Sequence, residues 1–429
     1  MKTLKNLFNI FILFIIILFN IMTTSFGATE EVSTYSPTCL LMEASTGKVI
    51  YEKNGYEKAY PASTTKIMTA ILTLEHCNLT DVATASYEAV YSVPVGYSNA
   101  NIQVGEELTI NQLLNVLLIN SANEAANVLA EHIAGSIDSF ATMMNAKAEE
   151  IGCLNTHFVN PNGVHNENHY STAYDLALMG RYAMKNDIFR EFVNTKFYTL
   201  PATNKYLTND RVFGTTNELL KKDTRDSVDN YYYEYCTGIK TGYTNAAKSC
   251  IVASAKKDDI EYIVVILGAG TTDNGLSARY LDCKTLFNYA FENYTVKKLN
   301  DEEADLKTIN IPNGTLSTKH LKVKIQDEIN VLLKKSTDTT NLTPTVEINK
   351  DLSVPIVKNS IVGKITYTID GNKYTSNLIA GNNVYESNTV TNILTIVSII
   401  IVLYLLFKLL NLNNKKKVKK NKKNKYLYW

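Results

Sequence analysis

Two kinds of apolar spacing divide the chain. Asn111–Glu131 holds the stretches LLNVLL and AANVLAEHI, where apolar side chains return every three or four positions, the repeat of a helix with one buried face. Thr64–Leu74 and Ser136–Ile151 share that repeat, the second closing at Gly152, and Ser277–Tyr294 predicts a further helix. Elsewhere the repeat shortens to two or merges into continuous apolar runs. CLLMEASTGKVIYEKN reads as two short strands around the turn Ser45-Thr46-Gly47, while YCTGIKTGYT and SCIVASAKKDDIEYIVVILGAG read as antiparallel strands. Strands from both ends of this region bracketing helical sequence predict an α/β (α+β) fold, a sheet with helices on its faces. From about Val296 the helical repeat stops. TINIPNGTL, LKVKIQDEINVLL, TPTVEINKDLSVPIV and GKITYTIDGNKYTSNLI predict a small all-β domain ending near Val384.

Both termini carry long apolar runs. Leu7–Met22 is apolar except for Asn9 and Asn20; it comes after Lys2 and Lys5 and precedes Ser25 and Gly27, small residues spaced for cleavage. That is the layout of a secretory signal peptide, with an uncleaved anchor as the alternative; either exports the domain behind it. Ile393–Phe407, with flanks from Val390 to Leu412, approaches the roughly 20 residues that span a bilayer. Eight lysines between Lys415 and Lys425 come next, the charge that stays on the cytoplasmic side. A helix lying in the interface is the competing reading, but this run is apolar on all sides. The expected organisation is a signal peptide at 1–27, an α/β domain at 28–295, a β domain at 296–384, a linker and transmembrane helix at 385–412, and a cytoplasmic tail at 413–429.

Composition changes this picture in one respect. The net charge of +1 is an average over unlike segments. Setting aside the two basic residues of Met1–Gly27 and the nine lysines after 390, the middle carries 32 basic and 42 acidic residues. An exported domain of that sign is a poor partner for nucleic acid. The whole chain, 45% hydrophobic and 20% charged, has an ordinary composition for a protein with a globular core. The six cysteines, at 39, 77, 153, 236, 250 and 283, show no metal-like CxxC and are expected to be mostly free and buried. His76, His132, His157, His165, His169 and His320 form no HExxH pattern, so no metal or other cofactor is expected.

Candidate chemistry begins at PASTTKIMTA, residues 61–70. The spacing S-x-x-K occurs three times, at Ser45/Lys48, Ser63/Lys66 and Ser254/Lys257. Only Ser63/Lys66 begins an apolar helix, where residues three apart share a face and the helix dipole favours a developing alkoxide. A serine hydroxyl needs a base, and a lysine serves as one only when burial or a second cation lowers its pKa. Two further motifs supply the remaining parts. Ser121-Ala122-Asn123 is the single S-x-N, and Lys240-Thr241-Gly242 the single K-T-G. Ser121 can relay a proton, Asn123 can hold a substrate amide, and Lys240 and Thr241 can bind a carboxylate while Lys240 polarises Ser121. Gly242 lets a strand edge approach the substrate backbone. The N–H groups of Ser63 and Tyr243 are candidate oxyanion donors.

The three motifs in this order resemble the penicillin-binding protein and serine β-lactamase superfamily. AYPASTTKIMTAILTLE, NQLLNVLLINSANEAANVLAEHIAG, FVNPNGVHNENHYSTAYDLALM and GIKTGYTNAAKSCIVASA are similar to the low-molecular-mass D-alanyl-D-alanine carboxypeptidases over about residues 35–295. The resemblance implies a β-lactamase/transpeptidase-like domain followed by a β domain and a membrane tether. It implies an acyl-enzyme on Ser63 formed from peptidoglycan stem peptides ending in D-Ala-D-Ala, and β-lactams as covalent inhibitors. Arg279 aligns with a family arginine near the substrate carboxylate, an exposed helix arginine being the alternative. Gly163 and His169 match landmarks read as structural. One departure stands out: the family pattern after K-T-G carries Ala-Gly, and here Ala247-Lys248 stands.

Several rivals stay open. A β-lactamase needs a deacylating base, and Glu150 lies one place too far from Leu154-Asn155 for the Glu-x-x-Leu-Asn pattern. A transpeptidase shares all three motifs. A non-catalytic β-lactam sensor or peptidoglycan-binding protein would keep penicillin labelling without turnover.

Overall fold

The computed structural model describes residues 32–207, 210–222, 231–300, 305–340 and 342–425. The expected signal peptide lies outside the described residues. Two compact units divide the chain, Met1–Tyr294 and Thr295–Trp429.

The first unit is built on a five-stranded antiparallel sheet. Its strands are β1 (Thr38–Glu43), β2 (Val49–Lys53), β3 (Cys236–Thr244), β4 (Lys248–Lys257) and β5 (Ile260–Ala269). The spatial order is β2-β1-β5-β4-β3, which leaves the K-T-G strand at an edge. Cys250–Ala255 and Glu261–Leu267 are buried at every position. Both faces of the central strands are therefore covered, so their sequences are continuous apolar runs rather than alternating ones. Helix α5 (Ala173–Ala183) packs on this sheet, as does α7 (Ala278–Asn293). The helical layer is completed by α1 (Lys66–His76), α2 (Ile110–Ile119), α3 (Asn123–Ala134), α4 (Ile137–Ile151) and α6 (Asp187–Asn194). The core joins the sheet residues Leu40, Met42, Val252, Ile263 and Val265 to Leu113, Leu117 and Leu129 of the helices.

The helical spacing over Asn111–Glu131 conceals a break. Helix α2 stops at Asn120, Ser121 takes a left-handed conformation (φ +65°), and α3 starts at Asn123. Helix α4 ends as expected, with Gly152 in the left-handed conformation.

The two discarded serine–lysine pairs have structural explanations. Ser45 Oγ donates to Glu43 Oε2 (3.0 Å) within the β1–β2 turn, and Ser254 Oγ pairs with Thr237 Oγ1 (2.7 Å) between strands. The Ala247-Lys248 departure instead carries backbone strain. Lys248 holds φ +56°, a conformation that favours glycine, while the register Thr244↔Lys248 is intact. Lys248→Gly is therefore expected to raise stability by about 1 kcal/mol, read as a higher midpoint in thermal unfolding. A fall would mean that the lysine side chain offsets the strain.

The second unit holds another five-stranded antiparallel sheet. Its strands are β6 (Asp305–Asn310), β7 (His320–Ile325), β8 (Thr345–Ile348), β9 (Ile361–Ile369) and β10 (Asn372–Ala380), in the order β6-β7-β10-β9-β8. Leu321, Val323, Val362, Ile365, Leu378 and Val384 form its core. Helix α8 (Thr389–Lys425) comes next, and within it Ile393–Leu412 is long and apolar enough to cross a membrane. All six cysteines are free thiols, buried except for the half-buried Cys77.

Candidate active site

Ser63 sits in a single 3-10 turn, Ala62–Thr65, that leads directly into α1. Ala62 just before it is left-handed (φ +49°), a strained conformation for a side chain with a Cβ. Two neighbours hold the turn in place. The Val159 N–H donates to His169 Nδ1 (3.2 Å), so the ring proton is on Nε2, which donates to Thr65 Oγ1 (2.8 Å). The Thr65 hydroxyl then donates to Ala62 O (2.8 Å). Burial, reinforced by nearby His157, His165 and Lys66, pushes His169 down to about 3, so the ring stays neutral. The second neighbour is Gly163 (φ +84°), where an added Cβ would lie 1.9 Å from Ala62 O. The structural reading of both landmarks is thus given a physical form.

Lys66 is fully buried and makes three polar contacts. Its Nζ lies 3.0 Å from Ser63 Oγ, 2.8 Å from Asn123 Oδ1 and 2.6 Å from Asn162 O. Burial foremost, then the charge of Lys240, pushes its pKa well down, with Glu124 opposing. A neutral amine has two N–H bonds and one lone pair. The two carbonyl oxygens accept the two N–H groups, which directs the lone pair at the Ser63 hydroxyl. This is the geometry of a base ready to take a proton.

The other motifs converge on the same place. Ser121 is buried between α2 and α3, and among the described residues its Oγ has no hydrogen-bond partner. Such an atom is costly to leave unpaired and faces a cleft of about 440 Å³ lined also by Ser63, Asn123, Thr241 and Arg279. Asn123 turns out to be engaged at both ends: beyond Lys66, its Nδ2 donates to Ser98 O (2.7 Å). It thus holds the Lys66 amine, a contact that residue type and spacing did not reveal. Lys240 is equally buried, and burial first, then Arg279, lowers its pKa to about 7. Its hydrogen bond goes to Thr241 O (3.0 Å) rather than to Ser121.

Gly242 is also crowded from within the protein. A Cβ there would lie 2.9 Å from Ser63 N and 3.1 Å from Pro61 O. The approach that excludes a side chain is thus to the serine turn. It stacks the K-T-G edge on the Ser63 backbone and brings Tyr243, which is exposed, to the rim. Arg279 is not an exposed helix arginine. Its Nη1 donates to Gly242 O (3.2 Å) and Cys250 O (3.4 Å), tying β3 to β4 beneath the cleft. Arg279 lines this end of the cleft with Lys240 buried next to Thr241, and among the described residues neither forms a salt bridge.

Three contributors escaped the sequence. Asn162 acts through its backbone carbonyl, which any residue carries. Thr216 lines the cleft and shares a 2.6 Å hydroxyl contact with Thr241. Glu124 is buried behind Asn123. Among the described residues no cluster of three or more histidine, cysteine or acidic side chains is placed to hold a metal.

Known proteins match this architecture. The family model described as D-alanyl-D-alanine carboxypeptidase matches residues 25–271, and that of the penicillin-binding protein 5 C-terminal domain matches 291–386. The chain is 32% identical over 348 residues to a D-alanyl-D-alanine carboxypeptidase of Bacillus subtilis, covering 80% of this chain and 84% of that protein. It is 29% identical over 374 residues to one from Escherichia coli, covering 82% and 86%. Among solved structures, penicillin binding protein 5 from Haemophilus influenzae superposes with a TM-score of 0.69 at 24% identity, covering 82% of this chain and 98% of that one. The Streptomyces K15 DD-transpeptidase gives 0.53 at 32% identity, covering 60% and 98%.

Proposed function

The chain belongs to the D-alanyl-D-alanine carboxypeptidase family, and on that premise we propose that Ser63, activated by neutral Lys66, removes the terminal D-alanine from peptidoglycan stem peptides. The observation that carries this reading is the placement of Lys66 Nζ, with two carbonyl acceptors and one hydroxyl. Lys66 takes the Ser63 proton as Oγ attacks the carbonyl between the two D-alanines. The oxyanion is met by the N–H groups of Ser63 and Tyr243. Ser121, whose hydroxyl has no partner among the described residues, relays a proton to the departing D-alanine. Water then hydrolyses the ester. β-Lactams, which bind to this family, acylate the same oxygen.

Lys240, Thr241 and Arg279 form the carboxylate end of the cleft. This gives a pH dependence with a definite sign. Lys240 is a cation below about 7 and loses that charge above it. The KM for a peptide with a free C-terminal carboxylate is expected to rise as pH increases through 7, while an amidated peptide shows no such rise. Lys240→Ala should raise KM for the free acid about 10-fold or more, the range for losing a charged hydrogen bond, and abolish the pH dependence. Equal losses on both peptides would remove Lys240 from carboxylate recognition.

Ile393–Leu412 supports anchoring in a membrane. The lysine-rich end is then cytoplasmic and the two folded units extracytoplasmic.

A second reading is favoured by one observation: a solved relative at 32% identity is called a DD-transpeptidase. The deciding assay uses the detergent-solubilised full chain, a pentapeptide ending in D-Ala-D-Ala, a chelator and a glycyl amine acceptor. Free D-alanine with tetrapeptide product marks the carboxypeptidase, whereas acceptor-linked product marks the transpeptidase. Penicillin labelling with neither product would mark a sensor.

A further inference from the structure

Glu124 comes directly after Asn123 in the first turn of α3 and is buried to 2% exposure. Its Oε1 accepts the N–H groups of Ala100 (2.6 Å) and Ile102 (3.3 Å). Asn123 reaches the same segment, its backbone N–H and its Nδ2 both donating to Ser98 O (3.0 and 2.7 Å). That segment continues into Val95–Ser98, which forms one wall of the cleft. Two consecutive side chains therefore fasten the wall, and one of them also holds the base. Glu124 has a second oxygen that this fastening does not use. Its Oε2 is buried and among the described residues has no hydrogen-bond partner. An orphaned carboxylate oxygen costs more than a neutral group of the same shape, so a glutamate here needs a reason that a glutamine would not supply.

The reason lies in the charge that acylation creates. Lys66 starts neutral and becomes an ammonium ion, still buried, at the moment it takes the Ser63 proton. The charges acting on it are unequal in sign: Lys240 opposes the ammonium and Glu124 favours it. His169, the other ionisable ring near Lys66, stays neutral. We propose that Glu124 is a positioning residue for acylation, clamping the 100–102 segment with Oε1 and, without touching Lys66, supplying the negative charge that offsets the new Lys66 ammonium. The Ser63 O–H bond breaks, its proton forms the third N–H of Lys66, and the Oγ electron pair bonds to the carbonyl carbon, whose C=O π pair moves onto the oxyanion. When that pair re-forms C=O the C–N bond breaks, leaving the Ser63 ester, and the departing nitrogen takes a proton through Ser121. Glu124 gains and loses no proton in this step.

The inference rests on the proposed acyl-enzyme reading, and two substitutions separate its charge from its shape. Glu124→Gln keeps an oxygen for the Ala100 and Ile102 N–H groups and removes the charge. Glu124→Asp keeps the charge and shortens the clamp. The experiment tracks acylation of the full chain by a fluorescent penicillin across pH, beside D-alanine release and thermal unfolding. Glu124→Gln should lower the acylation plateau about 10-fold, the lower end of general-base contributions. It should also move the acid limb of the profile to lower pH, because Lys66 loses the group that raises its pKa. Glu124→Asp should leave that limb in place and raise KM instead. A glutamine variant with wild-type plateau and acid limb would overturn the inference, as would an aspartate variant with the limb shifted equally. A glutamine variant that unfolds would leave the aspartate limb as the deciding result. Wild-type protein that neither acylates nor releases D-alanine would instead sink the catalytic reading itself.

Discussion

Lys66→Ala is expected to lower the rate of Ser63 acylation about 10³- to 10⁴-fold, the upper range of what a positioned general base contributes. The substitution removes the only amine whose lone pair faces the Ser63 hydroxyl among the described residues, and it strands Asn123 Oδ1 and Asn162 O. Stranding buried acceptors costs about 1–3 kcal/mol each at most, so thermal unfolding must be recorded beside the rate. Lys66→Arg sharpens the result. A guanidinium keeps the positive charge and cannot give up a proton in a protein. If Lys66 were needed only as a cation, arginine would retain activity; as a base, arginine is as inactive as alanine. Stopped-flow acylation by a fluorescent penicillin distinguishes the two, and fast labelling of a folded Lys66→Ala variant would remove Lys66 from the base role.

The largest effect without chemistry is expected at Gly163. A Cβ there would sit 1.9 Å from Ala62 O, 2.4 Å from Ala62 C and 3.0 Å from Ser63 N, all backbone atoms that cannot swing aside. The left-handed conformation alone costs an alanine about 1–2 kcal/mol. The overlap must add to this by displacing the serine turn, for a total of about 2–4 kcal/mol. Gly135→Ala is the control, since Gly135 is also left-handed (φ +77°) but has open space where the Cβ would go. Thermal unfolding should therefore fall much further for Gly163→Ala than for Gly135→Ala, and only Gly163→Ala should slow penicillin acylation. Equal shifts would mean that the contact with Ala62 contributes nothing beyond backbone strain.

These two sites also mark what was legible in the sequence. The sheet could be read because its central strands are covered on both faces, which leaves unbroken apolar runs such as IVVIL. The order Ser63/Lys66, Ser121/Asn123 and Lys240/Thr241 could be read because side-chain chemistry at a fixed spacing survives in one dimension. The break at Ser121 could not, since apolar spacing runs through it and the left-handed turn costs no apolar residue. Nor could the third contact of Lys66: a backbone carbonyl from Asn162, 96 residues away, leaves no trace in residue type. Glu124 was hidden for a related reason, because an acidic residue in the first turn of a helix is ordinary. Gly242 was singled out for its approach to substrate, whereas its crowding against the serine turn, a contact between distant segments, leaves no trace in the sequence.

The central claim is that Ser63 is the acylated nucleophile. Its most direct test is the mass of the penicillin-treated full chain, followed by peptide mapping, for wild type and Ser63→Ala. One penicilloyl adduct is expected on the wild-type peptide that contains Ser63, and none on a folded Ser63→Ala protein. An adduct that persists in Ser63→Ala, or that maps to Ser121 or another residue in the wild type, would contradict it.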